Sequence, residues 1–348
     1  MPIVTALAIS LCGGLLFKIL GIPLPWMLGP LFTVGVAGVS GVKVGAIKGG
    51  RQAGQLIIGC SLGLYFTSDV SRLILNYGWY ILAAASSAIL IGGLGGLLMK
   101  RFSGISGITA FFASVPGGAA EMAVLAERAG ARFDQVALSH SIRVLLTVSI
   151  IPIAVTLTGA SGTDVYQPLT SFVHIPGLIE LVVMAIAAGY VFMKAGIPNA
   201  WLLGPLTLSL LLTVNGQSMS AIPQPLAIIA QLLLGCSLGA RFNPGFRSGS
   251  RSLLVGILAS ITVTVSLSAL MGLVLAWLMN MSGPMMVLAT APGGLSEMCI
   301  TAKILKLGVP MVTTFQVARL ALVVTMSLPV WRLVQGIKRK LNKEAEAK

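Results

Sequence analysis

Twelve apolar stretches follow one another along this chain with little polar sequence between them, and that succession leaves few folds open. They run over 3–20, 27–45, 52–67, 75–99, 105–127 and 135–158, then 173–194, 201–216, 223–240, 252–280, 284–305 and 310–334. Stretches of about 20 residues match the ~30 Å hydrocarbon core of a bilayer. In lipid every backbone N–H and C=O must find a partner inside the protein, so such stretches become helices. Composition agrees: 56% of the 348 residues are hydrophobic and 9% are charged, where a soluble domain carries about 25% charged. The chain is therefore expected to be an all-α polytopic membrane protein whose main partner is the lipid bilayer. Residues 1–20 lack a basic leader and a small-residue cleavage site, and are read as a retained first span.

The chain also repeats itself with an offset of 175 or 176 residues. GIPLPWMLGPL at 21–31 matches GIPNAWLLGPL at 196–206, QLIIGCSLG at 55–63 matches QLLLGCSLG at 231–239, and Arg143 matches Arg319. A duplication is the simplest source of such ordered blocks. It predicts a first membrane repeat over 1–160, a second over 173–335, and a basic cytoplasmic tail over 336–348.

Within each repeat one stretch is interrupted. Residues 114–122 read SVPGGAAEM and residues 290–298 read TAPGGLSEM. Proline lacks the N–H and clashes with the preceding turn, and glycine gives up the most backbone entropy, so the helix breaks. Irregular backbone at membrane depth is tolerated only where it is buried in protein or lines a wet cavity.

Counting Lys and Arg decides how the breaks thread. If all six stretches of each half cross, the count is 11 on one side against 10 on the other. If the PGG stretch enters and leaves by the same face, 17 of the 23 fall with the N terminus and 4 opposite, with Arg143 and Arg319 in spans. Making the third stretch of each half the non-crossing one gives 13 against 8, and making the second one gives 10 against 11. Positive charge collects on the cytoplasmic side. The expectation is two inverted repeats, each of about five transmembrane helices plus one re-entrant PGG-broken segment, in the bacterial cytoplasmic (inner) membrane with both termini cytoplasmic. The net charge of +14 then reflects orientation, and no direct nucleic-acid binding is expected.

Each break is followed after three residues by a carboxylate, Glu121 or Glu297, in the first turn of the half-helix that leaves it. That position suits a cap on the positive end of the helix dipole, and ionisable groups at membrane depth also mark ion and proton paths. Arg143 and Arg319 lie inside the last span of each half and need an acid, a carbonyl cluster or an anionic ligand. An Arg–Glu pair is the plainest arrangement. A solute anion held between the two arginines is the sharper one. His140, one turn before Arg143 on the same helical face, is a candidate proton relay or a satisfied polar group. Trp26 and Trp201 fit the interfacial belt, and Gln55, Gln231, Ser61 and Ser237 suit helix-to-helix hydrogen bonds or site lining. Cys12, Cys60, Cys236 and Cys299 lie in apolar runs without metal-ligand spacing and read as buried small hydrophobes, so no metal or cofactor is expected.

The tandem GIPxxWxLGP blocks and the paired PGGxxEM blocks resemble the bacterial AbrB duplication membrane family over nearly the whole chain. The resemblance implies two labels used for that family, regulator of gene expression and ammonia monooxygenase. An oxygenase wants a cluster of His with carboxylates, and His140 and His174 are the only histidines. No enzyme activity is expected, and any regulatory effect would be indirect, through what the protein moves or senses.

The first functional reading is a secondary transporter of a small anionic solute coupled to H+ or Na+. Glu121 and Glu297 would carry the ion, Arg143 and Arg319 the anion, and Pro116, Gly117, Gly118, Pro292, Gly293 and Gly294 the exposed backbone. A channel framed by opposed half-helices and a membrane-embedded sensor are the alternatives. Homo-oligomer formation stays open.

Overall fold

A computed structural model of the chain describes residues 2–159, 166–217, 219–242 and 250–346, and all regular structure among them is helical. The first half holds α1 (Pro2–Ile19), α2 (Pro25–Val39), α3 (Gly50–Gly63), α4 (Ser68–Asn76), α5 (Gly78–Ser103), α6 (Gly107–Ser114), α7 (Ala119–Arg128) and α8 (Phe133–Leu157). The second holds α9 (Ile175–Lys194), α10 (Ala200–Val214), α11 (Gln224–Gly239), α12 (Arg251–Met279), α13 (Gly283–Thr290), α14 (Leu295–Ile304) and α15 (Val309–Glu346). Both PGG motifs fall between short helices, α6 and α7 or α13 and α14.

Among the described residues six helices, α1, α5, α8, α9, α12 and α15, are long and apolar enough to cross a membrane. Four further expected spans are shorter: α2, α3, α10 and α11 have 14 to 16 residues, about 21–24 Å at 1.5 Å per residue. The short α4 was not expected. Thr67 caps it by accepting from Val70 N at 3.4 Å, and Asp69 in its first turn complements the dipole. Residues 336–346 continue α15 as helix. The junction expected between the halves lies partly outside the described residues.

The outer surface is apolar in the manner of a protein bathed in hydrocarbon. Val4, Ile19, Leu90, Leu157, Ile179 and Val183 are all exposed, and Trp79 and Trp277 stand out at helix ends. α1 and α9 are mostly exposed, while α5 and α8 are about half buried.

Small residues bring the inner helices together. A Cβ on Gly59 of α3 would lie 3.1 Å from Pro205 of α10, and one on Gly63 would lie 2.8 Å from the Leu206 carbonyl. Gly235 and Gly239 of α11 meet Pro30 and Leu31 of α2 in the same way, at 3.1 and 2.9 Å. The two G-C-S-L-G blocks are thus contact faces with glycines four residues apart, close enough for backbone to touch backbone. Each half lends its block to the proline-bearing helix of the other half.

Candidate functional site

Both breaks have the same backbone. α6 ends in extended Val115 and the chain re-enters α7 through Gly118 at φ −66°, ψ 136°. α13 ends in Ala291 and re-enters α14 through Gly294 at φ −70°, ψ 141°. None of the four glycines of the PGG motifs has positive φ, so they are required for room and not for a left-handed turn. A Cβ on Gly117 would lie 2.6 Å from Met122 Sδ, and one on Gly293 would lie 2.8 Å from Met298 Cε. On Gly118 it would lie 2.8 Å from the Glu121 carboxyl carbon, and on Gly294 2.7 Å from that of Glu297. The motif PGGxxEM is therefore one packing unit: the methionine covers the first glycine, and the glutamate folds back over the second.

The last helix of each half caps the half-helix that enters the break. An α-helix leaves its final carbonyls without partners. In the first half, His140 Nε2 reaches Phe112 O at 2.9 Å and Ser139 Oγ donates to Ala113 O at 2.9 Å. Arg143 donates to the carbonyls of Ser114 at 3.2 Å, Val115 at 3.4 Å and Gly117 at 3.3 Å. In the second half, Gln316 Nε2 serves Leu288 at 2.8 Å and Ala291 at 3.1 Å. Arg319 donates to Ala291 O, and to Gly293 O at 3.0 Å.

This corrects the simplest expectation for the arginines. Neither forms an ion pair with Glu121 or Glu297; among the described residues the ion pair found is Arg132–Asp134, 3.1 Å apart on the exposed surface. Of the three partners open to a buried guanidinium, the chain supplies the carbonyl cluster. The Nε atoms of both arginines and Oε1 of Gln316 are buried without a partner.

A cavity of about 240 Å³ lies between the two breaks. Gly117, Gly118 and Glu121 line it from one side, Gly293, Gly294, Ser296 and Glu297 from the other, and Arg319 faces it as well. Glu121 is half-buried, whereas Glu297 is 3% exposed and accepts from Ser296 Oγ at 3.0 Å. Arg51, exposed Gln52 and Arg241 rim the cavity where α3 begins and α11 ends. The N-termini of α7 and α14 both meet it, which makes it favourable to negative charge.

The sequence-predicted residues divide into two layers. Glu121, Glu297, Arg319 and the four PGG glycines reach the cavity. Pro116, Pro292, Arg143 and His140 are buried and do not line it. Gln55 does line it, and donates to Asn199 Oδ1 at 3.3 Å.

Sequence reading missed Asn199, Ser296, Arg51 and Arg241. Asn199 carried a signal, because it breaks the GIPLP/GIPNA match where Leu24 stands. Both residues hold left-handed backbone, at φ 52° for Leu24 and 50° for Asn199, a conformation natural to Asn and costly for Leu. Trp201 also lines the cavity and covers Gly189 of α9, while Trp26 covers Gly14 of α1. Both indoles are half-buried.

A second cavity of about 450 Å³ is lined by Trp26, Ser61, Gln231 and Lys303 and rimmed by exposed Gln224. It shares no lining residue with the first. Lys303 Nζ donates to Ser61 Oγ and sits 5.9 Å from the centre of the Tyr65 ring. Of the cysteines, Cys60, Cys236 and Cys299 are buried as expected, but Cys12 is exposed.

Residues 26–335 match the family model described as "Transition state regulatory protein AbrB". The chain is 26% identical to "Uncharacterized protein YhjN" of Bacillus subtilis (strain 168), over 95% of its own length and 92% of the other's. It is also 26% identical to "Putative regulator AbrB" of Escherichia coli (strain K12), over 82% of this chain and 83% of that one. With the family model covering both broken helices and both glutamates, the chain belongs to the AbrB family.

Proposed function

We propose that this protein is a secondary transporter of a small anionic solute, coupled to protons or sodium, in the bacterial inner membrane with both termini cytoplasmic. The observation that carries the reading is the central cavity, where two broken helices present two N-termini, two carboxylates and Arg319 to one volume. Crossed half-helices with positive ends toward an anion are a recurring way to bind solute near the midplane.

Several contacts support an inverted arrangement of the two halves. Arg132 N donates to Thr109 Oγ1 at 3.1 Å, so the α6–α7 excursion starts and finishes at one end. Met285, in the first turn of α13, packs on Gly308 just beyond α14, which gives the second excursion the same form. The second cavity supports alternating access, because its Gln231 and Trp26 stand at the positions that Gln55 and Trp201 hold in the first.

The test is uptake by proteoliposomes of organic anions first selected by thermal stabilisation of the purified protein. Gradient-dependent uptake is expected, and flux indifferent to any gradient would favour a channel. A second reading is favoured by the names of the family model and of the Escherichia coli relative: a membrane-bound regulator or sensor acting indirectly on gene expression. It predicts ligand binding without flux.

A further inference from the structure

The second cavity holds two polar groups that the central site does not use. Lys303 reaches it from the last turn of α14, and among the described residues no carboxylate pairs with it. An ammonium has three N–H donors. One goes to Ser61 Oγ of α3, and the Tyr65 ring lies 5.9 Å from the nitrogen, so the charge is held by a hydroxyl and an aromatic face and neutralised by neither. Gln231 of α11 is 7% exposed, and its Oε1 is buried without a partner. Its repeat mate Gln55 has Asn199 for a neighbour, whereas Leu24 stands at that place in the other half and offers no side-chain polar atom. A buried acceptor without a donor is costly. The cavity thus offers a cation and an acceptor within about 450 Å³, walled by Ile58, Leu62, Ile222, Ile300 and Ile304.

These groups define a ligand. The ammonium asks for one negative charge. Lys303 is the one charged side chain among the described lining residues, so a second charge of either sign on the ligand would go unmatched. Gln231 Oε1 asks for an O–H or N–H donor, and an uncharged hydroxyl supplies one where a ligand ammonium would lack a counter-charge. The aliphatic wall asks for a hydrocarbon flank. We infer that the second cavity is a binding site for a small hydroxy-monocarboxylate with an apolar side, its carboxylate on Lys303 and its hydroxyl donating to Gln231. The site shares no lining residue with the cavity between the two breaks. It concerns binding alone and does not require that the protein transport anything.

The test is isothermal titration of the purified full chain in detergent with 2- and 3-hydroxy acids of roughly four to eight carbons. Each is run beside the same acid without its hydroxyl and beside its neutral amide. Saturable binding of at least one hydroxy acid is expected, about tenfold tighter than that of the acid lacking the hydroxyl, with no binding of the amide. Lys303→Met should weaken it by about tenfold or more, while Glu121→Gln, a change in the first cavity, should leave it within about twofold. Binding untouched by Lys303→Met, equal affinity with and without the hydroxyl, or no binding of any of these acids would overturn the site. If Lys303→Met does not fold, Gln231→Leu replaces it, with loss of the hydroxyl preference expected and an unchanged preference counting against the site. Absence of solute flux in proteoliposomes would instead remove the transporter reading and leave these affinities as they are.

Discussion

Arg143 Nη2 lies 2.6 Å from Nδ1 of His140, and this contact settles which ring nitrogen carries the proton. A guanidinium can only donate, so Nδ1 accepts. The proton is then on Nε2, which donates to the Phe112 carbonyl 2.9 Å away. His140 is thus a neutral strut between the α8 arginine and the end of α6. Gln316 occupies the matching position in the other half and its amide serves the matching carbonyl of Leu288.

The pairing of His140 with Gln316 predicts that His140→Gln keeps the fold and activity close to those of the parent protein. His140→Ala leaves a buried carbonyl and an arginine N–H without partners and should destabilise by about 1–3 kcal/mol. Thermal unfolding in detergent compares the two, and equal losses would show that the hydrogen bonds at this position do not matter.

Arg319 acts through a planar fork that spans two carbonyls, which an ammonium cannot reproduce. Arg319→Ala is expected to lower stability by about 2 kcal/mol or more, and Arg319→Lys to recover less than half of the loss. Because Arg319 also lines the cavity, binding of the solute found by thermal screening should weaken in both variants.

Gly294 and Glu297 are coupled by space. Gly294→Ala drives a methyl group toward the Glu297 carboxyl carbon and should cost about 1–3 kcal/mol. Adding Glu297→Ala should relieve part of that cost, so the double variant is less unstable than the two single effects combined. Strict additivity in the cycle would remove the steric explanation of the second glycine.

Gly59→Val on α3 meets the backbone of α10, whereas Gly93→Ala on α5 meets nothing within 4 Å. The first is expected to prevent folding or to cost several kcal/mol, and the second to stay within about 0.5 kcal/mol of the parent. Recovery of folded protein after membrane extraction separates them.

The inverted arrangement predicts where introduced cysteines are labelled. Arg101→Cys and Arg128→Cys should react with a membrane-impermeant reagent from the same side, and Lys306→Cys from the opposite one. The exposed Cys12 is replaced first. Labelling of positions 101 and 128 from different sides would remove the re-entrant excursion.

What could be read from the chain alone is whatever depends on local chemistry and its repetition. The apolar stretches fixed helices, because lipid offers the backbone no other partner, and PGG fixed both breaks, because proline cannot continue a hydrogen-bond ladder. The depth of Arg143 and Arg319 required a partner without saying which one. Tertiary structure decided that it is a ring of carbonyls and not a glutamate, since the choice depends on how far α8 and α15 lie from the breaks. It also decided that G-C-S-L-G is a contact face for the opposite half, that Asn199 and Ser296 join the cavity, and that Trp201 lines it as well. Those outcomes depend on which surfaces meet across residues far apart in sequence, and a pattern read along one chain carries no measure of that distance.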